Sequence, residues 1–126
     1  MLRFVYDTGI ILDIMPWYPY DGGRSLGQRG TEAGLIVQDH ELDGFARITL
    51  EENGEVAPFT ITWGIYGWAF GTCFFGSRAE ALDQYRRMQV DLAPILDLIP
   101  LSSDPDWEQK SHPVIAAIHD FNRRYS

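Results

Sequence analysis

Two short alternating segments flank Asn53-Gly54, and this arrangement constrains the fold more than any other feature of the chain. Ala46, Ile48 and Leu50 are apolar with Arg47, Thr49 and Glu51 between them, the period of a strand with one buried face. Beyond the Asn-Gly pair, Phe59, Ile61 and Trp63 alternate with Thr60 and Thr62 in the same way. Asn-Gly supplies the two positive-φ positions of a type I′ turn, so the segment predicts a tight hairpin. With Asn53 and Gly54 as the turn residues, Glu52 faces Glu55 and pairing continues Leu50–Ala57, Ile48–Phe59 and Ala46–Ile61. That register gathers the apolar residues of both strands on one face, as a sheet with one buried side requires.

A third strand is expected from Gly67 to Phe75, after a turn over Gly64 to Gly67. Pairing Trp63 with Trp68 places Ile61 beside Phe70 and predicts one aromatic face of Phe59, Trp63, Trp68, Phe70 and Phe74. The reverse face then carries Thr60, Thr62, Ala69, Gly71 and Cys73 with Arg47 and Thr49, a small and partly polar surface.

Ser77 and Glu80 have the spacing of a capping box, and Ala81, Tyr85, Met88, Leu92, Ile95 and Ile99 form one apolar stripe behind it. Pro94 predicts a kink or break and Pro100 the end of that helix. Pro105 suits the start of a short helical turn. A last helix is expected from Pro113 to about Arg124, with Val114, Ile115, Ile118 and Phe121 buried. Near the N-terminus, Leu2, Phe4 and Tyr6 alternate as a strand does, Ile10 to Met15 reads as a second, and Gly34 to Gln38 as another. The fold class is therefore α+β: an antiparallel sheet of about four to six strands with two C-terminal helices packed on one face, in a single domain spanning residues 1–126.

Composition agrees with a folded core, since four Trp, six Tyr and seven Phe supply bulky apolar material that disordered chains lack. The N-terminus has no basic segment leading into a long apolar run, and no stretch approaches the roughly 20 apolar residues needed to span a bilayer. Cys73 is the single cysteine, which fits a reducing compartment, and the expected location is the cytoplasm. The net charge of −8 and the single lysine argue against nucleic acid as a ligand. From residue 39 to 55, the carboxylates Asp39, Glu41, Asp43, Glu51, Glu52 and Glu55 face only Arg47 as a cation. Such a segment would steer a basic protein partner.

Each candidate site has a functional and a structural reading. Asp7-Thr8-Gly9 matches the core triplet of aspartic proteases, but the favoured reading is a turn between two strands. The run from Gly22 to Gly30, with Arg24 and Arg29, suits either an anion-wrapping lid or a flexible surface loop, and it lacks the ending of a P-loop. Cys73 reads as a buried structural thiol or as a nucleophile. His112 and His119, seven apart on one helix, are separated by about 10.5 Å of rise, too far to share a zinc ion. No cofactor or metal motif is present. Pro16-Trp17-Tyr18-Pro19-Tyr20 combines residue types that dominate interfaces with prolines that stiffen them; the alternative is a flap folded over one end of the core.

The strand–Asn-Gly–strand–turn–strand–helix layout, from Ala46 through Gly67-Trp68 to Ser77-Arg78-Ala79-Glu80-Ala81, resembles small acidic bacterial immunity proteins. The resemblance covers residues 44 to 93, rests on layout, and implies a non-enzymatic protein that binds a toxin-like basic partner. On that reading Trp17, Tyr18 and Tyr20 would be the anchors, and the carboxylates of residues 39 to 55 would supply the attraction. The second alternative is a small-molecule-binding domain or small enzyme with a pocket on the small-residue face, using Arg24, Arg29, Arg47, Thr49, Thr60, Thr62 and Cys73. A homodimer that covers this face is the third.

Overall fold

The computed structural model describes residues 2–5, 11–14 and 17–126, with side chains from residue 17 onward. The Asp7-Thr8-Gly9 triplet lies outside the described residues. The strands on either side of it, β1 (Leu2–Val5) and β2 (Ile11–Ile14), pair antiparallel from Leu2↔Ile14 to Val5↔Ile11.

The main sheet has five antiparallel strands in sequence order: β3 (Tyr18–Pro19), β4 (Leu35–Leu42), β5 (Ala46–Glu52), β6 (Phe59–Ile65) and β7 (Ala69–Phe75). Two helices follow, α1 (Arg78–Asp97) and α2 (Trp107–Arg124). The class is α+β, as the sequence patterns indicate. Among the described residues no helix is long and apolar enough to cross a membrane.

The β5–β6 hairpin differs from the expected one in an instructive way. Its register is Ala46↔Ile65, Ile48↔Trp63, Leu50↔Ile61 and Glu52↔Phe59, four residues away from the pairing an Asn53-Gly54 turn would give. The connection is a six-residue loop, residues 53–58, and of the Asn53-Gly54 pair that opens it only Asn53 has a positive φ, at 58°. Pro58 supplies a physical reason. In a two-residue hairpin it would sit inside the ladder, opposite Thr49, without an N–H to give. In the observed loop it lies outside the ladder, and its carbonyl accepts the Asn53 N–H at 2.7 Å. A shift of four is even, so Ala46, Ile48, Leu50, Ile61, Trp63 and Ile65 still share the buried face.

The β6–β7 register is shifted by three, and an odd shift reverses a strand. Ile65 pairs with Ala69, Trp63 with Gly71 and Ile61 with Cys73, joined by Tyr66-Gly67-Trp68 with Gly67 at φ 81°. Ala69, Gly71, Cys73 and Phe75 therefore point toward the helices, while Phe70, Thr72 and Phe74 point away, contrary to the expected single aromatic face. Packing accounts for this choice. A Cβ on Gly71 would lie 2.6 Å from Trp63 Nε1, so the glycine leaves room for the indole. The Trp63 ring then meets Phe121 edge-on, with centroids 4.9 Å apart.

The core lies between this face and the helices. Ile48, Leu50, Ile61, Trp63 and Ile65 pack with Ala81, Tyr85, Met88 and Leu92 of α1 and with Val114, Ile118 and Phe121 of α2. Each large side chain buried this way contributes about 1.5–3 kcal/mol. Ser77 caps α1, accepting the Glu80 N–H at 3.2 Å. The helix continues through Pro94, which is exposed beside Val90, so the carbonyl that loses its N–H partner lies on a stretch open to water. The expected Pro105 turn and Pro113 helix merge: α2 begins at Trp107, where Asp104 accepts the Asp106 N–H at 2.8 Å and Trp107 stacks on Trp68 at 5.7 Å. Ile115, expected in the buried stripe, is exposed, and Ser111 takes a buried place instead.

Candidate functional site

The sheet face opposite the helices carries Ile36, Asp39 and Glu41 from β4, Arg47, Thr49 and Glu51 from β5, Thr60, Thr62 and Gly64 from β6, and Phe70, Thr72 and Phe74 from β7. The segment from Tyr20 to Gly34 folds across one side of it. Between loop and sheet lies a cavity of about 680 Å³, bounded by Tyr20, Ser25, Arg29, Glu32, Arg47, Thr49, Glu51, Thr62, Tyr66, Phe70 and Thr72 among others. That size suits a small organic ligand.

Asp39 is the centre of one polar network. Its side chain is fully buried and accepts four hydrogen bonds: from Arg47 Nε at 2.9 Å, Arg47 Nη2 at 2.7 Å, Ser25 Oγ at 2.7 Å and Thr49 Oγ1 at 3.0 Å. Hydrogen bonding to Asp39 raises the Arg47 pKa and holds the guanidinium in its charged form. Arg47 also lies over the Tyr20 ring, 3.6 Å from its centroid. At the rim, Tyr66 donates its hydroxyl to Glu41 at 2.7 Å; burial, then that contact, raises the phenol pKa and keeps Tyr66 protonated.

Glu51 is the centre of the second. It is 1% exposed, and its carboxylate accepts the Gly34 N–H at 3.0 Å and the Glu32 N–H at 3.2 Å. Gly30 passes directly over it: a Cβ there would lie 2.3 Å from Glu51 Cδ. The glycine-bearing loop does wrap an anion with backbone N–H groups, but the anion belongs to the protein and the wrapping turn is 30–34. The adjoining loop docks alongside, with the Glu55 N–H donating to the Glu32 carbonyl at 3.1 Å.

Three further charged side chains line the cavity: Asp21, which is paired with Arg24; Arg29, which donates to the Ala33 carbonyl at 2.8 Å; and Glu32. Among the described residues Thr62 Oγ1 is buried without a hydrogen-bond partner, and so is Thr60 Oγ1 beneath the Gly54 turn. Phe70 is 83% exposed at the cavity wall.

These positions sort the sequence-derived candidates. Arg29, Arg47, Thr49 and Thr62 come together at the cavity, and Thr60 shares their face. Arg24 is an exposed partner of Asp21 and does not line it. Cys73 is on the opposite side of the sheet, buried beneath α2 with its Sγ against the Tyr125 carbonyl, and burial pushes its thiol up to about 11. It therefore belongs to the helix-facing core. The acidic patch does not form as expected. Asp39 and Glu51 are buried and internally bonded, Glu52 pairs with Arg78 at 2.8 Å, and Asp43 and Glu55 are exposed near opposite ends of β5. From Arg47, the partner of Glu41, to Glu52 the strand runs about 17 Å. Of the aromatic segment, Trp17 is half-buried and donates to the Gln89 carbonyl at 3.2 Å, Tyr20 covers Arg47, and Tyr18 is exposed.

Several cavity residues escaped the sequence reading: Ser25, Tyr66, Phe70 and Thr72. Phe70 and Thr72 follow once the β6–β7 loop has three residues, and Gly67 was the available signal. Ser25 reaches Asp39 across 14 residues, and no local pattern encodes that contact.

No family model, curated protein or solved structure matches this chain.

Proposed function

We propose that this protein binds a small molecule in the cavity on the open face of its sheet. The observation that carries the reading is the cavity of about 680 Å³ between loop and sheet, with the exposed Phe70 ring at its wall. Binding is favoured over turnover because the two buried carboxylates at the site are committed: Asp39 to four donors and Glu51 to two amides. A thermal-shift screen with a chemically mixed metabolite library tests the reading, run in parallel on a Thr72→Trp variant whose indole fills the cavity. A ligand at one hundred times its Kd adds about 2.7 kcal/mol. Compounds that raise the melting temperature of the native chain, but not of the filled variant, are expected. Equal shifts in both, or none in either, would count against the cavity.

A basic protein partner is the second reading, supported by the net charge of −8 and by exposed Asp43 and Glu55. Its test is the salt dependence of any complex recovered from the native host, compared with a variant carrying Asp43→Asn and Glu55→Gln. Unchanged recovery by that variant would remove the electrostatic basis.

A further inference from the structure

We infer that two copies of this chain join edge to edge through β7, making one continuous antiparallel sheet across a two-fold axis. This pairing does not depend on whether the cavity holds a ligand. The hydrogen-bond pattern of the sheet fixes which groups β7 leaves free. Antiparallel strands alternate between residue pairs that exchange hydrogen bonds and pairs that do not. At the two ends of the β5–β6 ladder, the Tyr66 N–H donates to the Phe45 carbonyl at 2.9 Å and the Asn53 N–H to the Pro58 carbonyl at 2.7 Å. The bonded pairs between them are therefore Arg47–Gly64, Thr49–Thr62 and Glu51–Thr60. Ile65, Trp63, Ile61 and Phe59 turn their backbone groups the other way and bond Ala69, Gly71, Cys73 and Phe75 of β7. The N–H and C=O groups of Phe70, Thr72 and Phe74 then point outward. Among the described residues none of them has a hydrogen-bond partner.

The opposite edge of the sheet is closed. β3 has two residues, one of them Pro19, and further along β4 the Gly27 N–H and the Gln28 carbonyl both bond Ile36. Short strands, prolines, covering loops and charged side chains are the means by which sheets avoid edge pairing. β7 has seven residues and neither a proline nor a charge.

A second copy matches this edge. Antiparallel pairing centred on Thr72 sets Thr72 against Thr72, and Phe70 against Phe74 in both directions. All of these are bonded pairs, so every outward N–H meets an outward C=O in one register. The same register aligns the side chains. Phe70, 83% exposed, and Phe74, 48% exposed, stand on the open face, and opposed residues of a ladder bring their Cβ atoms to about 4.5–5.5 Å. Each phenylalanine thereby covers one from the other copy, as an isologous interface requires. The chain carries a net charge of −8, and β7 sets no carboxylate against another. Phe74 of the second copy also extends the Phe70 wall of the cavity.

Sedimentation equilibrium of the full chain, at up to about 0.5 mM, tests the pairing together with amide hydrogen exchange. The mass is expected to approach twice that of one chain, and the Phe70, Thr72 and Phe74 amides to gain protection as concentration rises. Thr72→Pro removes an outward N–H that β6 does not use, so it spares the chain's own ladder and is expected to sediment as a monomer. Phe74→Lys, outside the cavity lining, should weaken association at least about tenfold. Adding Phe70→Glu to it sets opposite charges against each other between the copies and should recover at least about threefold. A native chain that stays monomeric at about 0.5 mM, with those three amides unprotected, would overturn the pairing and leave β7 open to a strand of another protein. A dimer that both Thr72→Pro and Phe74→Lys leave intact would overturn the edge as its seat.

Discussion

Glu51, in the middle of the sheet, accepts the Gly34 N–H at 3.0 Å, so a strand residue holds down the loop that closes one side of the cavity. The same carboxylate takes the Glu32 N–H and lies directly beneath Gly30. Sheet and loop are thus joined through one buried charge, and the shape of the site depends on it.

Removing that charge should free the loop. Glu51→Ala leaves two amides without their acceptor and is expected to cost about 1.5–3 kcal/mol, the range for hydrogen bonds to charged groups. Glu51→Gln, which retains one carbonyl oxygen, should cost less. Gly30→Ala should act in the same direction, because its methyl would overlap the carboxylate. Urea unfolding gives the stability change, and hydrogen exchange at Glu32 and Gly34 locates it. Unchanged protection at those amides in Glu51→Ala would refute the link.

The general architecture was legible in the sequence because alternation and helical stripes survive local errors. The Ala46–Leu50 and Phe59–Trp63 segments remain on one face whether the hairpin loop has two residues or six, since both registers have the same parity. The site was less legible because it depends on an odd shift. Phe70 and Thr72 reach the cavity only because the β6–β7 loop has three residues, and the decisive interaction is the fit of Trp63 over Gly71, a contact between strands. Glu51 looked like one more carboxylate on an acidic turn. Its burial is fixed by amides 17 and 19 residues away, and alternation within a strand carries no information about them.

The Trp63–Gly71 contact gives a second expectation. Gly71→Ala places a methyl 2.6 Å from the indole nitrogen, and overpacking of this kind costs about 1–3 kcal/mol. Gly64 is a control on the same hairpin, where the nearest atom to an added Cβ is 3.8 Å away. Gly64→Ala should change stability by no more than about 0.5 kcal/mol. Chemical denaturation of both variants measures the difference, and similar losses in the two would show that the β6–β7 register is not set by the indole.

Cys73 should be chemically quiet in the folded protein. Burial raises its thiol to about 11, so at pH 8 the thiolate is about one part in a thousand. Reaction with a disulfide reagent at pH 8 should be at least about a hundredfold slower in the native protein than in denaturing urea. Comparable rates would show that the β7–α2 seam opens readily.

His40 makes stability depend on pH in a definite direction. Tyr85 donates its hydroxyl proton to the Ile48 carbonyl at 2.9 Å, so His40 Nδ1, 2.8 Å from the same hydroxyl, carries a hydrogen and donates to it. Burial lowers the His40 pKa from its ordinary 6.5, and the nearby Asp39 charge opposes that shift without cancelling it. The unfolded chain then binds a proton at higher pH than the folded one, so stability rises with pH across the interval between the two pKa values. The contribution is fully present above about pH 6.5 and is lost as pH falls through the folded value. Urea midpoints of the native chain should therefore fall between about pH 7.5 and pH 5, and His40→Gln should remove part of that slope. Parallel profiles for the two proteins would show that protonation of His40 is not linked to folding.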